Sequence, residues 1–175
     1  MKRWLYWLPL IGFGGLFLVA GFGLNRPTQR TVRSAMVGKP LPAFRLAPLL
    51  PGKPGLATAD FATGRPHLLN VFASWCIPCA AEAPQLAALK AQGAEISAIA
   101  IRDTPEAVQG FLARYGDPYA RLGSDPDSAV QLAMGSSGVP ETFVIDGHGR
   151  IVLQHVGDVR AEDVPEILAA LRNAK

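Results

Sequence analysis

Cys76 and Cys79 are the chain's two cysteines, set in Phe72-Ala73-Ser74-Trp75-Cys76-Ile77-Pro78-Cys79 directly after the apolar run His67 to Phe72. Two thiols at this spacing can close a disulfide on one another, and the run before them reads as a strand that delivers them to the start of a helix. The first turn of a helix has backbone N–H groups without partners and carries the positive end of the helix dipole, so it favours a thiolate over a thiol. Cys76 is therefore expected to be the exposed nucleophile. Cys79, one turn on, is the more buried thiol expected to resolve a mixed disulfide. Pro78 has no amide hydrogen to lose at a helix start, and its fixed φ stiffens the turn. The chemistry implied is thiol–disulfide exchange. A bridge serving stability alone is a weaker reading, because the entropic gain grows with loop length and this loop is short. Zinc is poorly supported: two cysteines supply half a tetrahedral set, and His67, His148 and His155 show no matching spacing. Haem attachment through Cys-x-x-Cys-His is excluded, since Ala80 follows Cys79. Neither cofactor nor metal is implied.

Two carboxylates are candidates to move the thiol proton. Glu82 lies three residues beyond Cys79, on the same face of a helix, and Glu141 follows Pro140 just before an apparent strand, from where it could approach from the other side. A carboxylate near a thiol raises the thiol's pKa by like-charge repulsion and opposes the helix dipole, so Cys76 is expected to be less acidic than the thiol of a strong oxidant. That suits a reductant. The competing reading of each is a solvated surface acid.

The elements that must position these residues can be read from the apolar pattern. A brief strand is expected near Phe44 to Leu46, within a segment from Gly38 to Gly64 that Pro40, Pro42, Pro48, Pro51 and Pro54 keep free of long helices. Strands follow at His67 to Phe72 and Ile96 to Ile101, with a helix from about Cys76 to Lys90 bent at Pro84 between them. Pro105 to Tyr115 repeats its apolar residues with helical period and starts with Pro and Glu. A strand is expected near Tyr119 to Leu122 and a short helix over Asp127 to Met134. Glu141 to Ile145 and Ile151 to Val156 then form a hairpin about the turn signal Asp146-Gly147-His148-Gly149, and Ala161 to Arg172 closes the chain as a helix. This order implies an α/β fold, a mixed central sheet flanked by helices.

Composition locates the chain. Its 175 residues suit one domain of ordinary size. Trp4 to Leu24 carries no charge and is flanked by Lys2, Arg3 and Arg26; at ~1.5 Å per residue such a helix reaches about 31 Å, the thickness of a bilayer's hydrocarbon core. Trp4, Tyr6 and Trp7 suit an interfacial belt. A cleaved export signal is the alternative, although the run exceeds the ~7–15 residues of a signal core. The organisation expected is a cytoplasmic tail over residues 1–3, an anchor over 4–24, a basic linker over 25–39 and a folded domain over 40–175. Residues 1–39 hold six Lys or Arg and no acid, which leaves 11 basic and 14 acidic residues in the remainder. The net charge of +3 therefore belongs to the amino-terminal part, and nucleic acid, which calls for Lys and Arg clustered on the domain itself, is not an expected partner.

Trp75-Cys76-Ile77-Pro78-Cys79, Gly138-Val139-Pro140-Glu141-Thr142-Phe143 and Val37-Gly38-Lys39-Pro40-Leu41-Pro42-Ala43-Phe44 together closely resemble the CcmG/DsbE proteins of cytochrome c maturation, TlpA-like members of the thioredoxin superfamily. The resemblance extends through Leu68-Leu69-Asn70-Val71 to Val156-Gly157-Asp158. It implies a thioredoxin-like fold behind one transmembrane helix, in a single-pass protein of the bacterial inner membrane whose soluble domain faces the periplasm. The activity implied is that of a protein-disulfide reductase acting on apocytochrome c or a maturation thiol protein before haem attachment, with electrons from a transmembrane thiol reductant of the DsbD/CcdA type. An X-Pro bond read from sequence alone is trans, since about 5–6% in folded proteins are cis. The resemblance reverses that for Pro140, and it implies that Trp75, Val139 and Pro140 bind the substrate peptide. Asn70 stands where ordinary thioredoxins carry a buried acid, and Ser136-Ser137 replaces a bulkier Val-Tyr. A general periplasmic reductase of the TlpA/ResA kind and a membrane-tethered copper chaperone are the alternative readings.

Overall fold

His67–Phe72 and Ile96–Ile101 are close to continuously apolar, the pattern of strands covered on both faces, and in the computed structural model every residue of both is buried. The structure describes residues 7–24 and 35–174. In chain order the elements are α1 (Leu8–Leu24), β1 (Arg45–Leu46), β2 (Leu56–Ala57), β3 (His67–Phe72), α2 (Ile77–Ala91), β4 (Ile96–Ile101), α3 (Pro105–Tyr115), β5 (Arg121–Asp125), α4 (Ala129–Ala133), β6 (Glu141–Ile145), β7 (Ile151–Val156) and α5 (Val164–Asn173).

The chain divides into two units, Met1–Arg30 and Thr31–Lys175. The first contains α1, an uncharged helix of 17 residues. Among the described residues no helix is long and apolar enough to cross a membrane. The expectations for residues 1–6 and 25–34 lie outside the described residues.

The second unit is built on a five-stranded sheet in the order β5-β4-β3-β6-β7. β3, β4 and β5 run parallel, and β6 and β7 are antiparallel to their neighbours. The parallel pairs need crossovers, which α2 and α3 supply. β6 and β7 are joined instead by a tight turn, in which Asp146 Oδ1 accepts the amides of His148 (2.9 Å) and Arg150 (2.8 Å). The core runs through Leu68, Leu69, Phe72, Ile99, Leu122 and Phe143, each fully buried. Phe72 lies 5.6 Å from the ring of Phe111 on α3 and 5.1 Å from that of Tyr119.

Four strands and α3 have the bounds expected from the sequence. The last strand of the parallel set starts at Arg121, two residues later than expected, although the Ala120 amide already donates to the Ile96 carbonyl of β4 at 2.8 Å. The first short strand has an antiparallel partner, β2, that periodicity did not mark. Residues 36–39, expected to belong to the linker, are held on the edge of β7: Gly38 N–H donates to Ile151 at 2.7 Å, Ile151 N–H to Lys39 at 2.9 Å, and Leu41 N–H to Gly149 at 2.8 Å. This segment covers backbone groups that an edge strand would otherwise leave open.

Gly147 is required for a different reason from the other turn residues. A Cβ placed there would lie 2.6 Å from the backbone carbon of Gly64 and 2.9 Å from the Arg65 nitrogen, atoms that cannot step aside. Gly147→Ala is expected to lower stability by roughly 1–3 kcal/mol, read from the midpoint of urea unfolding. An unchanged midpoint would show that the two loops are free to part.

Candidate active site

The end of β3 and the end of β4 emerge side by side because the strands are parallel neighbours. The loop after β3 is tied to the loop after β4. Ser74 donates its amide (2.5 Å) and hydroxyl (2.7 Å) to the carboxylate of Asp103, and Trp75 Nε1 donates to the Arg102 carbonyl at 3.3 Å. Cys76 then caps α2. Its backbone is extended, and its sulfur accepts the Cys79 amide at 3.2 Å, with Pro78 in the first turn. The cysteines are joined as a disulfide with their Cα atoms 5.3 Å apart.

The expectation that Cys76 is the exposed member of the pair needs correction. Cys76 is 5% accessible and Cys79 2%, so both are covered. The bridged Cys76 sulfur sits at the helix start, where it accepts the Cys79 amide, and the exposed groups are its neighbours, Trp75 at 56% and Ile77 at 84%. The site is an apolar rim around a recessed disulfide.

β6 is antiparallel to β3 with Glu141 opposite Val71, so the residues just before β6 arrive at the sheet end from which the disulfide loop departs. Val139–Pro140 is a cis peptide bond, as the resemblance implied. Gly157 N–H donates to the Pro140 carbonyl at 3.0 Å. Trp75, Cys76, Cys79, Val139 and Pro140 therefore belong to one end of the sheet.

A closed polar cluster lies beneath this end. Asn70, wholly buried, donates from Nδ2 to Glu82 Oε1 at 2.9 Å and to Thr142 Oγ1 at 3.1 Å, and accepts the Tyr119 hydroxyl at 2.8 Å on Oδ1. Glu82 Oε2 accepts the Val159 amide at 3.0 Å. Glu82 is 1% accessible, and burial pushes its carboxyl up to about 7 against the lowering effect of the Val159 and Asn70 donors; the Asp158 charge adds to the rise. Its donors suit the ionised form and its surroundings the neutral one.

Glu141 is equally buried and sits elsewhere. Side chains alternate along β6, so Thr142 joins Asn70 on one face and Glu141 points to the other. There Glu141 Oε1 accepts the Ser137 amide (2.7 Å) and hydroxyl (2.8 Å), and Oε2 accepts Gln154 Nε2 at 2.7 Å. The two carboxylates share no hydrogen-bond partner among these contacts, and both are buried where a surface acid was the competing reading. Among the described residues no group of three or more His, Cys, Asp or Glu side chains is gathered as a metal site. Tyr119, Gln154 and the Ser74–Asp103 anchor were not foreseen. They join segments far apart in sequence and carry no local signal. Ser137 was noticed only for its small size, and its hydroxyl is what the Glu141 carboxylate uses.

The Redoxin family model matches residues 36–171. The thiol:disulfide interchange protein HelX of Rhodobacter capsulatus is 43% identical over 164 residues, covering 94% of this chain and 92% of its own length. DsbE of Escherichia coli K12, named likewise, is 39% identical over 165 residues, 91% of this chain and 88% of that protein. The chain belongs to the Redoxin family, as a thiol:disulfide interchange protein of the DsbE/HelX type. A solved thiol:disulfide interchange protein of the thioredoxin family from Chlorobium tepidum superposes with a TM-score of 0.61 at 26% identity, over 77% of this chain and 94% of that one. The DsbE/HelX-type chain is accordingly a thiol–disulfide oxidoreductase of thioredoxin-like fold, and Cys76 and Cys79 are the only cysteines it has for the exchange.

A carboxyl that titrates at about 7 when folded and at 4.5 in a model peptide binds more protons in the native state between those values. Stability must then fall as pH rises from 4.5 to 7 and level off above. The displacement corresponds to about 3 kcal/mol. Glu82→Gln should abolish this slope while adding a constant offset, seen as a difference between urea-unfolding free energies of the two proteins that changes across pH 4.5 to 8. A difference that stays level would remove the titration from Glu82.

Proposed function

We propose that the chain is a membrane-anchored periplasmic reductase that opens the disulfide of apocytochrome c, or of a maturation thiol protein, before haem attachment. The observation that carries the reductase reading is the Glu82 carboxyl. It is buried on the disulfide helix one turn beyond Cys79, between the Asn70 and Val159 donors, and burial pushes its carboxyl up to about 7, which suits a group that takes a proton and gives it back. Likeness to HelX and DsbE supports the choice of substrate.

In the reduced protein the Cys76 thiolate attacks one sulfur of the substrate disulfide, forming a mixed disulfide and releasing the other substrate sulfur, which takes a proton. Cys79 gives its proton to Glu82 and attacks the Cys76 sulfur. The Cys76–Cys79 bridge forms and the second substrate sulfur leaves as a thiolate. Two electrons have then passed to the substrate, whose two sulfurs take their protons from solvent, while the Cys79 proton rests on Glu82. Trp75, Val139 and Pro140 form the surface on which the peptide lies, with the Val139 backbone pairing to it. Glu141, whose donors all come from the loop and β7, holds that loop in place. A transmembrane thiol reductant of the DsbD/CcdA type returns the pair to the dithiol.

The anchor reading is supported by α1, whose 17 residues reach about 26 Å at 1.5 Å per residue. Phe13, Leu16, Phe17, Leu18 and Val19 are all exposed on it, and the uncharged run begins before it, at Trp4. A hydrocarbon core is about 30 Å thick. Carbonate washing should leave the full chain with the membrane pellet; release into the supernatant would count against the anchor.

Cys79→Ser keeps the attacking thiol and removes the one that releases the partner. In cells it should accumulate a mixed disulfide with an apocytochrome or a maturation thiol protein, and Cys76→Ser should trap nothing. Capture of many unrelated exported proteins would point instead to a general reductase, and capture by both variants would break the assigned order of attack.

A further inference from the structure

Tyr119 precedes β5 and has no part in the steps above, yet its ring is 4% accessible and its hydroxyl reaches Asn70, 49 residues away in sequence. We propose that Tyr119 is a positioning residue for the redox centre: its hydroxyl fixes the Asn70 amide so that the nitrogen, and never the oxygen, faces the Glu82 carboxyl. The proposal deepens the reductase reading and rests on it for the use made of the proton.

The argument is one of donors and acceptors. A carboxamide has an acceptor side and a donor side. The phenol is held well above its ordinary value by burial, and secondarily by the Glu82 and Asp117 charges, so it stays protonated and donates. With Oδ1 committed to that hydrogen at 2.8 Å, both Nδ2 hydrogens are sent the other way, to Glu82 at 2.9 Å and Thr142 at 3.1 Å. Turning the amide over would place Oδ1 against Glu82 and deprive the phenol of this acceptor beside the ring of Phe72, where unpaired polar groups are costly. The latch therefore keeps Glu82 between two donors, Asn70 Nδ2 and the Val159 amide, an arrangement matched to the ionised carboxylate. Without the hydroxyl the reversed amide becomes accessible, and its oxygen accepts a hydrogen bond from the protonated acid. The other charge acting on Glu82 is Asp158, in the segment after β7, and Cys79 is buried three residues before Glu82 on the same helix.

The consequence is a prediction of sign. Tyr119→Phe keeps the ring packed on Phe72 and should raise the Glu82 titration, followed by carbon-13 NMR of its carboxyl, by about one pH unit. Site-specific 3,5-difluorotyrosine at position 119, a stronger donor, should move it down. The pH profile of Cys76 alkylation in the reduced protein should follow Glu82 in both cases, and in a Glu82→Gln background Tyr119→Phe should leave that profile in place. A Glu82 titration that ignores both substitutions, or a profile displaced equally in the Glu82→Gln background, overturns the proposal. If the wild-type protein fails to exchange with a disulfide peptide while the two titrations move in opposite directions, the reductase reading fails and the latch stands.

Discussion

Asn70 is fully buried in the middle of β3, and the arrangement beneath the disulfide follows from what its amide requires. Two N–H donors and a carbonyl acceptor placed in an apolar sheet must all be paired, or each costs on the order of 1–3 kcal/mol. The partners come from four other parts of the fold: Glu82 from α2, Thr142 from β6, Tyr119 from the approach to β5, and, through Glu82, the Val159 amide from the segment after β7. Satisfying one side chain therefore locks the disulfide helix, two strands and a loop into a single register. An acid in place of Asn70 would offer acceptors to both Glu82 and Thr142, and would set two carboxylates against each other. An amide at this position allows the neighbouring position, 82, to hold the acid.

The sheet divides the work between two buried carboxylates. β3 and β6 pair with Asn70 opposite Thr142, and a shift of one residue would carry Thr142 to the wrong face and bring Glu141 under α2. In the observed register Glu141 is committed to Ser137 and Gln154 and stabilises the segment that ends in cis-Pro140. Glu82 alone is left on the helix that carries the cysteines.

Much of this was legible in the sequence because it is local. The apolar runs set β3, β4, β6 and β7, the Pro105-Glu106 start set α3, and the Cys76-x-x-Cys79 spacing at a strand-to-helix junction set the chemistry. The spacing of Glu82 from Cys79 put it on the right helix face. What escaped the sequence depends on long-range pairing. Tyr119 read as a strand residue, because nothing nearby shows that its hydroxyl ends on β3. Glu82 and Glu141 looked interchangeable until strand register separated them. The accessibility of Cys76 was misjudged because its place at the helix start does not by itself say how far the sulfur is covered. Residues 36–39, Met-Val-Gly-Lys, are too short a run to show that their backbone would pair with β7.

Under the proposed reductase reading, the geometry also bears on how the site would favour giving electrons over taking them. The Cys79 amide bonded to the Cys76 sulfur, and the helix start behind it, stabilise negative charge on that sulfur. A strong oxidant depends on this alone, since whatever stabilises the reduced thiolate pulls the couple toward reduction. Here an acid lies one turn below, its carboxyl pushed up to about 7 by burial, and its ionised form sets negative charge against the helix start from within the same helix. When the bridge forms, the charge conflict ends and Glu82 holds the released proton in a site already adapted to either state. Oxidation of the cysteine pair is thereby coupled to a proton that has somewhere to go, and the electron pair is the easier to part with.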